Sequence, residues 1–99
     1  MRFYEAILGH DLDTVALRSV IEGRKSYECI DSKGIKIFMK TSRVDYQFYV
    51  ELYCTGRMIV EAKNMKVAER RVYDTIKWLK KNHFIILTEK PGVEEVKKS

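Results

Sequence analysis

Hydrophobic and polar positions alternate along most of this chain and switch to a helical period in two places. Arg2 to Leu8 alternates loosely and is rich in aromatic and branched residues, which predicts a first strand. Gly9-His10 breaks it, and Asp11 can cap a helix over about 12–22. There Leu12, Val15, Ala16, Val20 and Ile21 follow helical spacing, and Gly23 supplies the stop. Period two then returns. Ser26 to Ile30 reads as a strand that ends in the turn Asp31-Ser32-Lys33-Gly34, and Ile35, Ile37 and Met39 share one face of the next. Tyr46, Phe48, Val50 and Leu52 oppose Gln47, Tyr49, Glu51 and Tyr53, so 46–53 reads as a strand too. After a Thr55-Gly56 turn, Met58, Val60 and Ala62 face away from Arg57, Ile59, Glu61 and Lys63.

The second helical stretch runs from about 65 to 82, with Ala68, Val72, Thr75, Ile76 and Leu79 on one stripe that fits the dry face of a sheet. Trp78, beside Leu79, is expected to anchor the helix end by packing. Phe84 to Thr88 reads as a last strand, and Pro91-Gly92 opens a charged tail. The expected fold is α+β: a curved antiparallel sheet of four to six strands with two helices on one face, in the order β-α-β-β-β-β-α-β. One domain spans 1–90, and 91–99 is a flexible tail.

Composition narrows the function without naming a reaction. The 99 residues are 45% hydrophobic and 33% charged with one Pro, the balance of a folded domain. No apolar run is long enough for a membrane span or a secretory signal, so a cytoplasmic protein with no membrane partner is expected. Cys29 and Cys54 are not spaced as CxxC and read as free buried thiols. With His10 and His83 they are too few and too scattered for a metal site. No nucleotide-cradling or zinc-protease motif occurs, and neither histidine has a nucleophile or carboxylate at a catalytic spacing, so neither an enzyme nor a cofactor is expected.

Charge is the remaining clue. The net charge is +5, which favours anionic partners. Between Lys63 and His83 stand seven cations (Lys63, Lys66, Arg70, Arg71, Lys77, Lys80 and Lys81) and two anions, Glu69 and Asp74, so the surplus of the whole chain lies there. A run of cations on the outer side of an amphipathic helix is most often a solvated face. The sheet's exposed face is expected to interleave rings with cations: Lys36, Phe38, Lys40, Tyr49, Tyr53, Arg57 and Lys63. Rings stack on or wedge between bases while cations neutralise phosphates, which makes these seven the candidate nucleic-acid-binding residues. Glu51 and Glu61 on that face count against it, and a face carrying Phe38, Tyr49, Tyr53 and Ile59 serves equally as a protein or dimer interface.

Tyr53-Cys54-Thr55-Gly56-Arg57-Met58-Ile59-Val60, then Ala62-Lys63-Asn64 and the long helix to Phe84, resemble a single half-repeat of the TATA-box-binding protein family. Upstream, Gly34-Ile35-Lys36-Ile37-Phe38-Met39 is similar to a strand of that repeat. The resemblance covers Gly34 to Phe84, with a one-residue gap before Ala62. It implies a curved sheet whose concave side binds and bends DNA through the minor groove, and a homodimer, since one half-repeat makes half a saddle. It places Tyr53 where the family has a wedging Phe and Arg57 at the basic turn position. The family's second wedge, in Phe-Pro-Gly, is replaced by Ser32-Lys33-Gly34. The expected function is therefore a non-enzymatic nucleic-acid-binding protein, for DNA before RNA and as a homodimer. The alternative is an interaction or dimerisation subunit that touches no nucleic acid.

Overall fold

A computed structural model describes residues 2–9, 12–24, 45–82 and 90–96. The expected strands 26–30, 35–40 and 84–88, with candidate residues Lys36, Phe38 and Lys40, lie outside them, as do His10, Asp11, Cys29 and His83. Among the described residues the order is β1 (Arg2–Ile7), α1 (Thr14–Glu22), α2 (Tyr46–Thr55), β2 (Arg57–Ala62), α3 (Met65–Lys81) and β3 (Val93–Glu95). The class is α+β with an antiparallel sheet, as expected. That sheet has three described strands in the order β2-β1-β3.

β1 is the central strand. It pairs with β2 through Tyr4↔Val60 and Ala6↔Met58 and with β3 through Tyr4↔Glu95 and Ala6↔Val93. Residues 93–95, read from the sequence as tail, thus form a strand, because three consecutive residues pair with β1. Since side chains alternate across a strand, Tyr4, Ala6, Met58, Val60 and Ala62 share one face, and all five are buried. The α3 stripe Ala68, Val72, Thr75, Ile76 and Leu79 is buried as its spacing predicts.

α1 is close to its expected position, but its cap is Asp13: the Ala16 amide donates to Asp13 Oδ1 at 3.1 Å. Leu17 and Ile21 are its buried residues. Gly23 stands at its C-terminal end with an ordinary φ of −59°.

The segment 46–53 is a helix, not a strand, and this is the main correction. Asp45 caps it, accepting from the Phe48 amide at 2.9 Å, and Gly56 ends it in the left-handed region at φ 65°. Five consecutive residues, Phe48 to Leu52, are buried. Consecutive burial is what a helix enclosed on several sides requires, whereas a half-exposed strand would bury alternate residues. The β-prone Tyr, Phe and Val residues gain more from enclosure than their weak intrinsic preference costs. Thr55-Gly56 therefore joins a helix to a strand and is not a hairpin turn.

Gly56 is constrained twice. Its φ is one that side-chain-bearing residues rarely adopt, and a Cβ there would stand 3.0 Å from the Gly9 Cα. The two loops touch because the Leu8 and Gly9 amides both donate to the Gly56 carbonyl, at 2.7 and 3.0 Å. Gly9 also has a positive φ, of 53°, but open space around its absent Cβ. Gly56→Ala is expected to cost clearly more than Gly9→Ala, which bears only the backbone penalty of ~1–2 kcal/mol. Paired denaturant titrations test this, and equal losses would contradict the close approach.

Cys54, in the last turn of α2, is disulfide-bonded. This overturns the free-thiol reading, because separation along the chain does not limit which sulfurs meet in the folded state. Cys29 is the only other cysteine in the sequence. Cys54→Ser is expected to cost roughly 2–4 kcal/mol, the usual effect of a native crosslink. A reductant should lower the wild-type Tm to match; a Tm insensitive to reductant would contradict the bond.

Candidate nucleic-acid interface

The described members of the expected sheet-face site do not form one surface. Tyr49 is in α2 and 6% exposed, packed edge-to-face on Phe48 with ring centroids 6.1 Å apart. Burial pushes its phenol pKa up; Arg24 works against this and Asp45 with it. Tyr53, the wedge position of the resemblance, is also in α2 and packs against the core, half-buried. Arg57 lies on β2 and its Nη1 donates to Glu5 Oε2 at 3.1 Å, with both side chains about four-fifths covered. Lys63 alone of the described four is exposed. The strand assignment of 46–53 had put Tyr49 and Tyr53 on the sheet; once that segment is a helix, both leave it.

Among the described residues the face of the sheet away from the core is acidic. Register places Phe3, Glu5 and Ile7 beside Arg57, Ile59 and Glu61, with Glu94 opposite Glu5. Among the described residues this face carries three carboxylates and one guanidinium, itself paired to Glu5, a balance that disfavours a phosphate backbone. Ile59 is buried on this side.

The positive surface is on α3. Asn64 starts this 17-residue helix, its side chain accepting from the Val67 amide at 3.0 Å. At 1.5 Å per residue the helix is about 25 Å long. With the Ala68-Val72-Ile76-Leu79 stripe turned into the core, Lys66, Arg70, Lys77 and Lys81 are exposed in a row on the outer side. Each four-residue step in that row advances about 6 Å. Lys63, just before the helix, and Lys80, in its last turn, are exposed as well.

Arg71 has a different task. It is half-buried and its Nη1 donates to the Glu61 carbonyl, tying α3 to β2. Glu69 and Asp74 are the row's exposed anionic neighbours. Trp78, expected to pack at the helix end, is 41% exposed and offers part of a ring to solvent next to the cations.

The sequence contained the signal for this surface, since the charge surplus lies between Lys63 and His83. It did not show that the competing sheet face would be acidic, because that depends on the register of β1, β2 and β3. Among the described residues no cluster of three or more His, Cys, Asp or Glu could hold a metal ion, and no described helix is long and apolar enough to cross a membrane. No family model matches the chain, and no curated protein or solved structure matches it.

Proposed function

We propose that this protein is a non-enzymatic nucleic-acid-binding protein that engages duplex DNA along the outer face of α3. The observation that carries the reading is the exposed row Lys66, Arg70, Lys77 and Lys81 on a helix whose opposite side is locked into the core. A row of cations carried on a fixed helix lines its charges up along a phosphate backbone, and each contact releases condensed counterions. DNA is favoured over RNA because the B-form major groove admits a helix, whereas the A-form major groove is too deep and narrow. The similarity to the TATA-box-binding family supplies a second motive for DNA, but its sheet-face mode meets carboxylates here. The homodimer expected from that mode is not required by a single helix.

The alternative, an interaction subunit that mates through its sheet, has the 64% exposed Ile7 in its favour. Self-association through that face would bring Glu5, Glu61 and Glu94 of two copies together, which opposes it.

The test is a titration of labelled duplex DNA, single-stranded DNA and double-stranded RNA of one sequence at low salt. Micromolar or tighter binding is expected, strongest for duplex DNA. Absence of binding to all three, or a preference for RNA, would overturn the reading.

A further inference from the structure

A shallow groove of about 310 Å³ lies between α3 and the segment leading into β3, lined by Tyr73, Asp74, Ile76, Lys77, Lys80 and Lys90. Its walls are built from two directions. Lys77 and Lys80 come from α3, one helical turn apart, and Lys90 comes from the segment before β3. Tyr73 joins the two walls: its hydroxyl donates to the Pro91 carbonyl at 3.2 Å, and the Lys90 ammonium stands 4.8 Å from its ring centroid. Among the described residues, three lysines and one acidic residue, Asp74, thus line the groove together with the apolar Ile76 and the Tyr73 ring.

That combination has a definite chemical preference. A phosphodiester carries one charge and is bound well enough by a single cation of the outer row. A phosphate monoester carries nearly two charges at neutral pH and gains most where several cations converge. The groove volume is at the lower end of the range for small-molecule sites, which suits one nucleotide, its apolar part on Ile76 and Tyr73 and its phosphate among the lysines. We infer that this groove binds a nucleotide-borne phosphate monoester, of which the 5′-phosphorylated end of a DNA strand and a free mononucleotide are the two sources. The strand-end form rests on the proposed function; the mononucleotide form does not.

The experiment uses the full chain and four probes: a duplex with 5′-phosphates, the same duplex with 5′-hydroxyls, adenosine monophosphate and inorganic phosphate. Lys90 lies outside the α3 row, so Lys90→Gln separates end recognition from backbone binding, with thermal unfolding as the check on folding. A preference of about tenfold for the 5′-phosphorylated duplex is expected, lost in Lys90→Gln while affinity for the 5′-hydroxyl duplex is kept. Adenosine monophosphate should bind more tightly than inorganic phosphate, again dependent on Lys90. If the protein binds no duplex, the Lys90-dependent binding of the mononucleotide still supports the site while the proposed function fails. Equal affinity for the two duplex ends together with no Lys90-dependent binding of the mononucleotide would overturn the inference.

Discussion

Phe48→Ala is expected to remove about 3–5 kcal/mol of stability, the usual cost of deleting a large aromatic side chain from a closed core. Phe48 is 1% exposed, on a helix enclosed by its neighbours in space. A domain of this size is held by only about 5–15 kcal/mol, so the variant should unfold at much lower denaturant. The size of the loss alone does not separate a helix from a strand at 46–55, because Phe48 points inward in both. Tyr49 separates them. In a strand it would sit on the face opposite Phe48, and Tyr49→Ala would be a surface change of ~0.5 kcal/mol or less. In α2 it is buried, so its truncation should cost the same order as that of Phe48. Urea titrations of the two variants, with the exposed Gln47→Ala as control, check this; a Tyr49→Ala loss no larger than that of the control would contradict the helix.

Much of the fold was legible where one period dominated. The α3 stripe was readable because 17 residues sample the helical period several times. Met58, Val60 and Ala62 were readable because they share the face of β2 that is buried in the core. Residues 46–53 misled because an enclosed helix has no polar side to set its period: polar Gln47 and Glu51 fall where alternation would place them, yet Glu51 is buried. The boundary residues held the better signal there. Asp45 three residues before Phe48 and Gly56 after Thr55 match a helix cap and a left-handed stop. β3 was illegible because three residues are too few to show a period, and its pairing depends on β1 more than eighty positions away. The described part of the candidate site lost its two tyrosines with the 46–53 strand, since both belong to α2. The cations of α3 were visible throughout, but their value depends on the acidic sheet face, and that follows from cross-strand register.

The second large effect concerns binding. Replacing Lys66, Arg70, Lys77 and Lys81 together by Gln removes the row and leaves the buried stripe of α3 untouched. Four phosphate contacts correspond to a slope of about −3.6 in log K against log salt, or roughly a 100-fold loss of affinity between 50 and 200 mM. The fourfold variant should therefore bind duplex DNA at least about 100-fold more weakly at low salt. Its stability should change little, because all four side chains are exposed. Arg57→Gln is the matched control on the sheet. Its guanidinium is occupied by Glu5 among further carboxylates, so DNA affinity should stay the same while stability falls modestly. The reverse pattern, with the fourfold variant binding normally and Arg57→Gln defective, would return the interface to the sheet.

The most direct measurement is the salt dependence of duplex binding for the wild type and the fourfold α3 variant side by side. If the outer face of α3 carries the phosphate contacts, the wild type should give a slope of about −3 to −4 and the variant a slope of about −1 or shallower. Equal slopes for the two proteins, or a wild-type affinity that does not respond to salt, would contradict the assignment.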